Sequence, residues 1–261
     1  MYLPDTDPPA DPAAQRRADW RRFSRAAWCS VAAVVVLVLM DLVQGMLATR
    51  AFAVSPGSMA GLMGLLTAPL LHGSLEHLVA NSLSILFLGT LAGGVYPRAT
   101  LRGLPLMWLG SGVGAWLLGE PGSFHIGASG VTHGLMFLVF VLGVLRRDRA
   151  AIAATMIGFL FYGGMLLTVL PREPGVSWQS HLGGAVGGAL AAWLFRRLDP
   201  MAPRRRYSWE IEEELAAEAE RAEREQFELP TPHDVPVLWH RDGRAEDDAR
   251  GKVLEFPRRE R

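Results

Sequence analysis

Apolar residues fall in six long blocks separated by short polar stretches: 26–48, 75–95, 101–118, 129–145, 150–170 and 179–195. Most blocks are 17 to 23 residues long. At about 1.5 Å per helical residue, that length crosses a hydrocarbon core about 30 Å thick. The pattern predicts an all-α polytopic membrane protein, a bundle of six transmembrane helices. The AFA at Ala51–Ala53 imitates a signal-peptide cleavage site. The apolar block before it is too long and its polar lead too extended, so the first block reads as a retained helix.

Arginines orient the bundle. They cluster before the first block (Arg16, Arg17, Arg21, Arg22, Arg25), after the second (Arg98, Arg102), after the fourth (Arg146, Arg147, Arg149) and after the sixth (Arg196, Arg197, Arg204, Arg205, Arg206). The alternate loops hold only Arg50 and Arg172. The positive-inside rule then places both termini in the cytosol. Three regions are expected: a cytosolic segment 1–25, a membrane domain 26–198, and a charged cytosolic tail 199–261. Within the tail, Ser208–Phe227 reads as a helix with a thin apolar stripe of Ile211, Leu215 and Ala219, either solvated or partner-binding. Beyond it, prolines and mixed charges read as a flexible end.

Composition adds little: 261 residues, 26 basic against 26 acidic, and formal net charge zero. The single cysteine, Cys29, permits neither an intramolecular disulfide nor a multi-cysteine metal site. No cofactor, metal or nucleic-acid partner is expected; the lipid bilayer is.

Polar residues inside apolar blocks need a reason, because each costs free energy unless paired. Three groups stand out: His72, His77 and Asn81 in HGSLEHLVANS, Ser129 in GASG, and His181 in WQSHLGG. Asn81 lies 17 residues before Arg98, Ser129 17 before Arg146, and His181 15 before Arg196. All three therefore sit about 22–25 Å above the cytosolic boundary. An amide, a hydroxyl and an imidazole reach one level, just below the outer surface. Gly130 and Gly134 on one helix, and Gly184 and Gly188 on another, are spaced for close helix packing beneath that level. Gly183 and Gly187 repeat the spacing.

Two readings of Ser129 compete. It caps or packs a helix, or it is a nucleophile activated by the His181 imidazole. As a nucleophile it needs oxyanion donors. Its own helix start supplies unpaired N–H groups. Asn81 and His77, four apart on one face, can add more. Glu76, Glu120 and Glu173 lie near this level, but no motif places them, so the reading is a Ser–His dyad rather than a triad. The Gly- and Pro-containing GEPGSFH before Ser129 implies irregular backbone at membrane depth beside a water-filled cavity. His125 reads as a loop residue. Asp41, inside the first block, reads as a structural hydrogen-bonding group.

The spacing of His72, His77 and Asn81, the GxSG at Gly127–Gly130, and His181 followed by Gly184 together resemble the rhomboid family of intramembrane serine proteases. The resemblance covers residues 26–198. It implies Ser129 as nucleophile, His181 as general base, and Asn81 and His77 assisting the Ser129 N–H at the oxyanion. It also implies His72, Gly127, Gly130 and His133 around the site, and single-pass membrane proteins as substrates. The location it implies is a bacterial inner membrane. Two positions depart from the family pattern. Met63-Gly64 stands where many members carry Trp-Arg in the first loop. His133 stands where an aromatic residue commonly packs on the catalytic histidine; it either braces His181 or acts as a second base. The alternatives are an inactive rhomboid-like protein that binds membrane clients, and a transporter, for which no internal repeat or charged pathway is visible.

Overall fold

The computed structural model describes residues 12–171, 175–199 and 208–227. The chain divides into two compact units, within residues 1–204 and 205–261.

The first unit is a helical bundle. Helix α1 (Pro12–Gln44) starts on a proline, whose missing N–H is harmless in a first turn. It begins well before the apolar block, so residues 12–25 of the expected polar segment are continuous with the membrane helix; residues 1–11 lie outside the described residues. The next rod runs from α3 (Leu75–Ser84) through a π-helical turn at Ile85–Gly89 into α4 (Thr90–Val95). Four more helices follow: α5 (Pro97–Leu118), α6 (Ser129–Arg146), α7 (Arg149–Tyr162) and α8 (Trp178–Phe195). α7 ends earlier than its apolar block, at the Gly163-Gly164 pair, and passes into a 3-10 turn at Gly163–Leu166.

Four of the six rods are long and apolar enough to cross a membrane: Ala13–Gln44, Leu75–Val95, Ser129–Arg146 and Arg149–Leu166. The other two, α5 and α8, carry polar residues (Arg98 and Arg102; Gln179 and His181) and four glycines each. Those glycines are contact points. A Cβ on Gly183 would stand 2.9 Å from the Gly114 Cα, and one on Gly187 would stand 2.8 Å from the Leu106 carbonyl carbon, both on α5. On the adjacent face of α8, a Cβ on Gly184 would stand 2.6 Å from the Gly130 carbonyl carbon, and one on Gly188 would meet Gly134 at 2.8 Å, both on α6. α8 is thus wedged between α5 and α6 with backbones touching, as small residues permit in lipid. The spacing foretells the α6 contact; the α5 contact is as close.

The loop after α1 is largely helical. It holds 3-10 turns at Thr49–Phe52, Ala60–Leu62 and Ala68–Leu70, and a single-turn helix α2 (Gly64–Thr67). Two tryptophans of α5 anchor it: Trp116 Nε1 donates to the Ser58 carbonyl (2.9 Å) and Trp108 Nε1 to the Leu66 carbonyl (3.2 Å). Gly64 rests on the backbone of Ala53 and Val54, where any Cβ would collide.

At the opposite end, Asp199 accepts from Arg98 N and Ala99 N, each at 3.0 Å, and so caps α5 across the fold. Arg146 donates to the Asp199 carbonyl (3.1 Å) and to Asp148 (3.0 Å), with its guanidinium 5.2 Å from the Tyr96 ring. Tyr96, Met107, Leu138 and Leu142 fill the core between that end and the site. In the second unit, α9 (Ser208–Phe227) covers the predicted tail helix and exposes Trp209, Ile211, Leu215 and Phe227. The remainder of the tail from residue 228 lies outside the described residues.

Candidate active site

Ser129 is the first residue of α6, and His181 lies in the first turn of α8. The close packing of those helices brings Ser129 Oγ to 2.9 Å from His181 Nε2. The other ring nitrogen, Nδ1, lies 3.0 Å from the Thr168 carbonyl and donates to it. A neutral imidazole has one N–H. With that proton on Nδ1, Nε2 presents its lone pair to the serine hydroxyl, the tautomer a general base requires. The orienting group is a backbone carbonyl rather than a carboxylate. Glu76 is exposed and Glu120 bonds neither residue; Glu173 lies outside the described residues.

His133, one turn along α6, stacks on His181 with ring centroids 3.8 Å apart and planes 12° from parallel. Its Nδ1 donates to the Ser129 carbonyl (2.6 Å), and its Nε2 lies 2.8 Å from Thr168 Oγ1. Both nitrogens are occupied and neither faces Ser129 Oγ, so the ring can brace His181 but has no lone pair for the serine. Thr168 therefore holds both imidazoles, one by its carbonyl and one by its hydroxyl. Nothing in the sequence singles it out, since a carbonyl is common to every residue.

Ser129, His181, His133, Asn81 and His77 share the wall of one cavity of about 1240 Å³. Asn81 is buried, and its Nδ2 has no hydrogen-bond partner among the described residues. A buried amide donor without a partner is costly and calls for a ligand-side explanation. α3, α7 and α8 begin with side-chain caps from Ser74, Asp148 and Ser177. α6 begins after Ala128, which supplies none. The backbone donors of its first turn thus stay open beside Ser129.

Three expected lining residues are elsewhere. His72 is buried behind His77, edge-on at 5.2 Å, and off the cavity wall. Its backbone is clamped by Gln44 of α1, which donates to the His72 carbonyl (2.9 Å) and accepts from the His72 N–H (3.0 Å). Asp41 accepts from the same Gln44 amide at 2.6 Å. Burial, then the neighbouring His77, push the His72 imidazole down to about 4. Gly127 and Gly130 are also off the wall. Gly127 has φ 115° and lets the His77 ring rest against it. Gly130 makes room for Ser111 of α5 and the Ser180 carbonyl of α8. All three support the site from behind because it is a seam between helices, and a seam needs small residues and pinned loops. Among the described residues, no three of His, Cys, Asp or Glu meet as metal ligands.

Uncharacterized proteins of Mycobacterium tuberculosis and Mycobacterium bovis are each 38% identical to the chain over 175 residues, 62% of this chain and 71% of theirs. An uncharacterized Mycobacterium leprae protein is 39% identical over 141 residues, 51% of this chain and 56% of its own. The Rhomboid domain family model matches residues 59–198, from the first loop through α8 and thus over every residue of the site, and the chain belongs to the rhomboid family, as an integral membrane protein.

Proposed function

We propose that the protein is an intramembrane serine endopeptidase that cleaves single-pass membrane proteins near the outer face of the membrane. The observation that carries the reading is the 2.9 Å contact of Ser129 Oγ with His181 Nε2, made inside a membrane bundle and open to a cavity. Ser129 attacks the scissile carbonyl as Nε2 takes its proton. The carbonyl oxygen becomes an oxyanion, which the Ser129 N–H, Asn81 Nδ2 and His77 stabilise. His181 returns the proton to the leaving amine, and the acyl-enzyme remains. Water from the cavity, deprotonated by the same Nε2, then attacks the acyl carbon, and as the bond to Ser129 Oγ breaks Nε2 returns that proton to Oγ and the acid product leaves. Because Nδ1 stays bonded to the Thr168 carbonyl, the ring keeps one orientation through both halves.

The arginine distribution supports cytosolic termini and an outward-facing site. The bacterial source of the relatives supports a bacterial inner membrane. The domain division at residues 25 and 198 remains part of this reading. The test is co-expression with a panel of single-pass reporter substrates. Wild type should cleave at least one near its outer boundary, and Ser129→Ala none. Equal cleavage by the two at equal abundance would refute the proposal.

A further inference from the structure

A second Ser–His contact joins the lead-ins of the same two helices. His125 is four residues before Ser129, and Ser177 is four before His181. His125 Nδ1 lies 2.6 Å from Ser177 Oγ, and Nε2 lies 2.9 Å from Ser123 Oγ. The backbone of His125 is fixed as well: it donates to the Val54 carbonyl (2.9 Å) and accepts from Val54 N (3.0 Å). Burial pushes the His125 imidazole below its ordinary value, so it is a neutral ring with one N–H. The Ser123 hydroxyl donates to the Glu120 carbonyl at 2.6 Å. The His125 ring joins Ser123 Oγ through Nε2 and Ser177 Oγ through Nδ1, one nitrogen donating and the other accepting.

This pair is not a second nucleophile. Ser177 Oγ also accepts from Ser180 N (3.4 Å) as the cap of α8 and meets Ser180 Oγ at 2.9 Å. Its Oγ, although on the cavity wall, is engaged by His125 Nδ1, Ser180 N and Ser180 Oγ, and no orphaned donor comparable to Asn81 Nδ2 is found beside it among the described residues. What the contact does is join the lead-in of α6 to the lead-in of α8. Below the Ser129–His181 pair, the glycine contacts set the spacing of these helices. The highest glycine contacts on α8 are at Gln179 and Ser180, against Gly114 of α5 and Gly130 of α6. The lead-in above them, at Ser177, is held to the α6 lead-in by His125. His181 stands about 4.5 Å along the axis from Gly184, so a tilt of the α8 start by about 10° would move it by nearly 1 Å, and the tie opposes that tilt.

We infer that His125 is a positioning residue: through Ser177 it latches the start of α8 to the start of α6 and holds His181 Nε2 within hydrogen-bond distance of Ser129 Oγ. The inference rests on the hydrolase reading and adds a part to it. Asparagine at 125 can present its side-chain carbonyl near the place of Nδ1; leucine cannot.

The experiment reconstitutes the full chain in liposomes and measures kinact and KI for a fluorophosphonate probe, with thermal unfolding in parallel. His125→Leu should lower kinact about 10- to 100-fold, the range expected for a misplacement near 1 Å, with KI little changed. His125→Asn should restore most of kinact. Ser177→Gly removes the hydroxyl while glycine remains a good residue at a helix start, so it separates the latch from helix stability. It should match His125→Leu, and the double variant should be no slower than the slower single one. Wild-type kinact in His125→Leu or Ser177→Gly, or losses that multiply in the double variant, would overturn the latch alone. A wild type with no Ser129-dependent labelling would overturn the hydrolase reading and the latch with it.

Discussion

Gly184→Ala is the smallest change that should open the site. A Cβ there would stand 2.6 Å from the Gly130 carbonyl carbon and 3.1 Å from its Cα. Carbon atoms settle at about 3.5 Å or more. Both neighbours are backbone and cannot rotate away, so α8 must move from α6 by about 1 Å. Gly184 lies three residues below His181, so most of that displacement reaches the imidazole. The 2.9 Å Ser129–His181 contact would lengthen to about 3.9 Å, beyond hydrogen-bonding range. A misplacement of this size costs about 100-fold, or about 2.7 kcal/mol of activation free energy. The assay is cleavage of a single-pass substrate in liposomes at equal enzyme abundance. Gly45→Ala serves as control, since nothing lies within 4 Å of the added carbon. kcat should fall for Gly184→Ala and hold for Gly45→Ala. Wild-type kcat in a folded Gly184→Ala would refute the claim that glycine packing sets the dyad distance.

His133→Phe keeps a planar ring on His181 but loses the bonds to Ser129 and Thr168, so kcat/KM should fall by no more than about tenfold, whereas His181→Phe should lose all activity. A His133→Phe as dead as Ser129→Ala would contradict a bracing role. Asn81→Ala should slow cleavage about 10²- to 10³-fold through the loss of one oxyanion donor; an unaltered kcat would remove Asn81 from the oxyanion site. Asp199→Ala uncaps α5 and should lower stability by about 1–2 kcal/mol in detergent unfolding while sparing kcat, since Asp199 lies at the far end of the bundle. An unchanged unfolding transition would show that the cap contributes nothing.

The membrane architecture was legible because its signals are linear. Apolar block length foretold the six rods, and the glycine spacing on α8 foretold its face against α6. Ranging residues against the arginines set Asn81, Ser129 and His181 at one level, and the structure puts all three on one cavity wall. What escaped was carried by backbone or by irregular geometry. Thr168 orients His181 through a carbonyl, which leaves no mark in sequence. Gln44 pins His72 through backbone groups 28 positions away. The turns between residues 49 and 70 have no periodicity long enough to read, and they are held by Trp108 and Trp116, which look in sequence like ordinary apolar positions. His72 resembled a lining residue because proximity in sequence to His77 does not tell front from back.

The central claim is that His181 activates Ser129, and the most direct measurement locates a fluorophosphonate adduct by peptide mass spectrometry. In wild type the adduct should lie on Ser129, and it should vanish in His181→Ala at equal abundance with unchanged thermal unfolding. An adduct on another serine, or undiminished labelling of Ser129 without His181, would contradict the account.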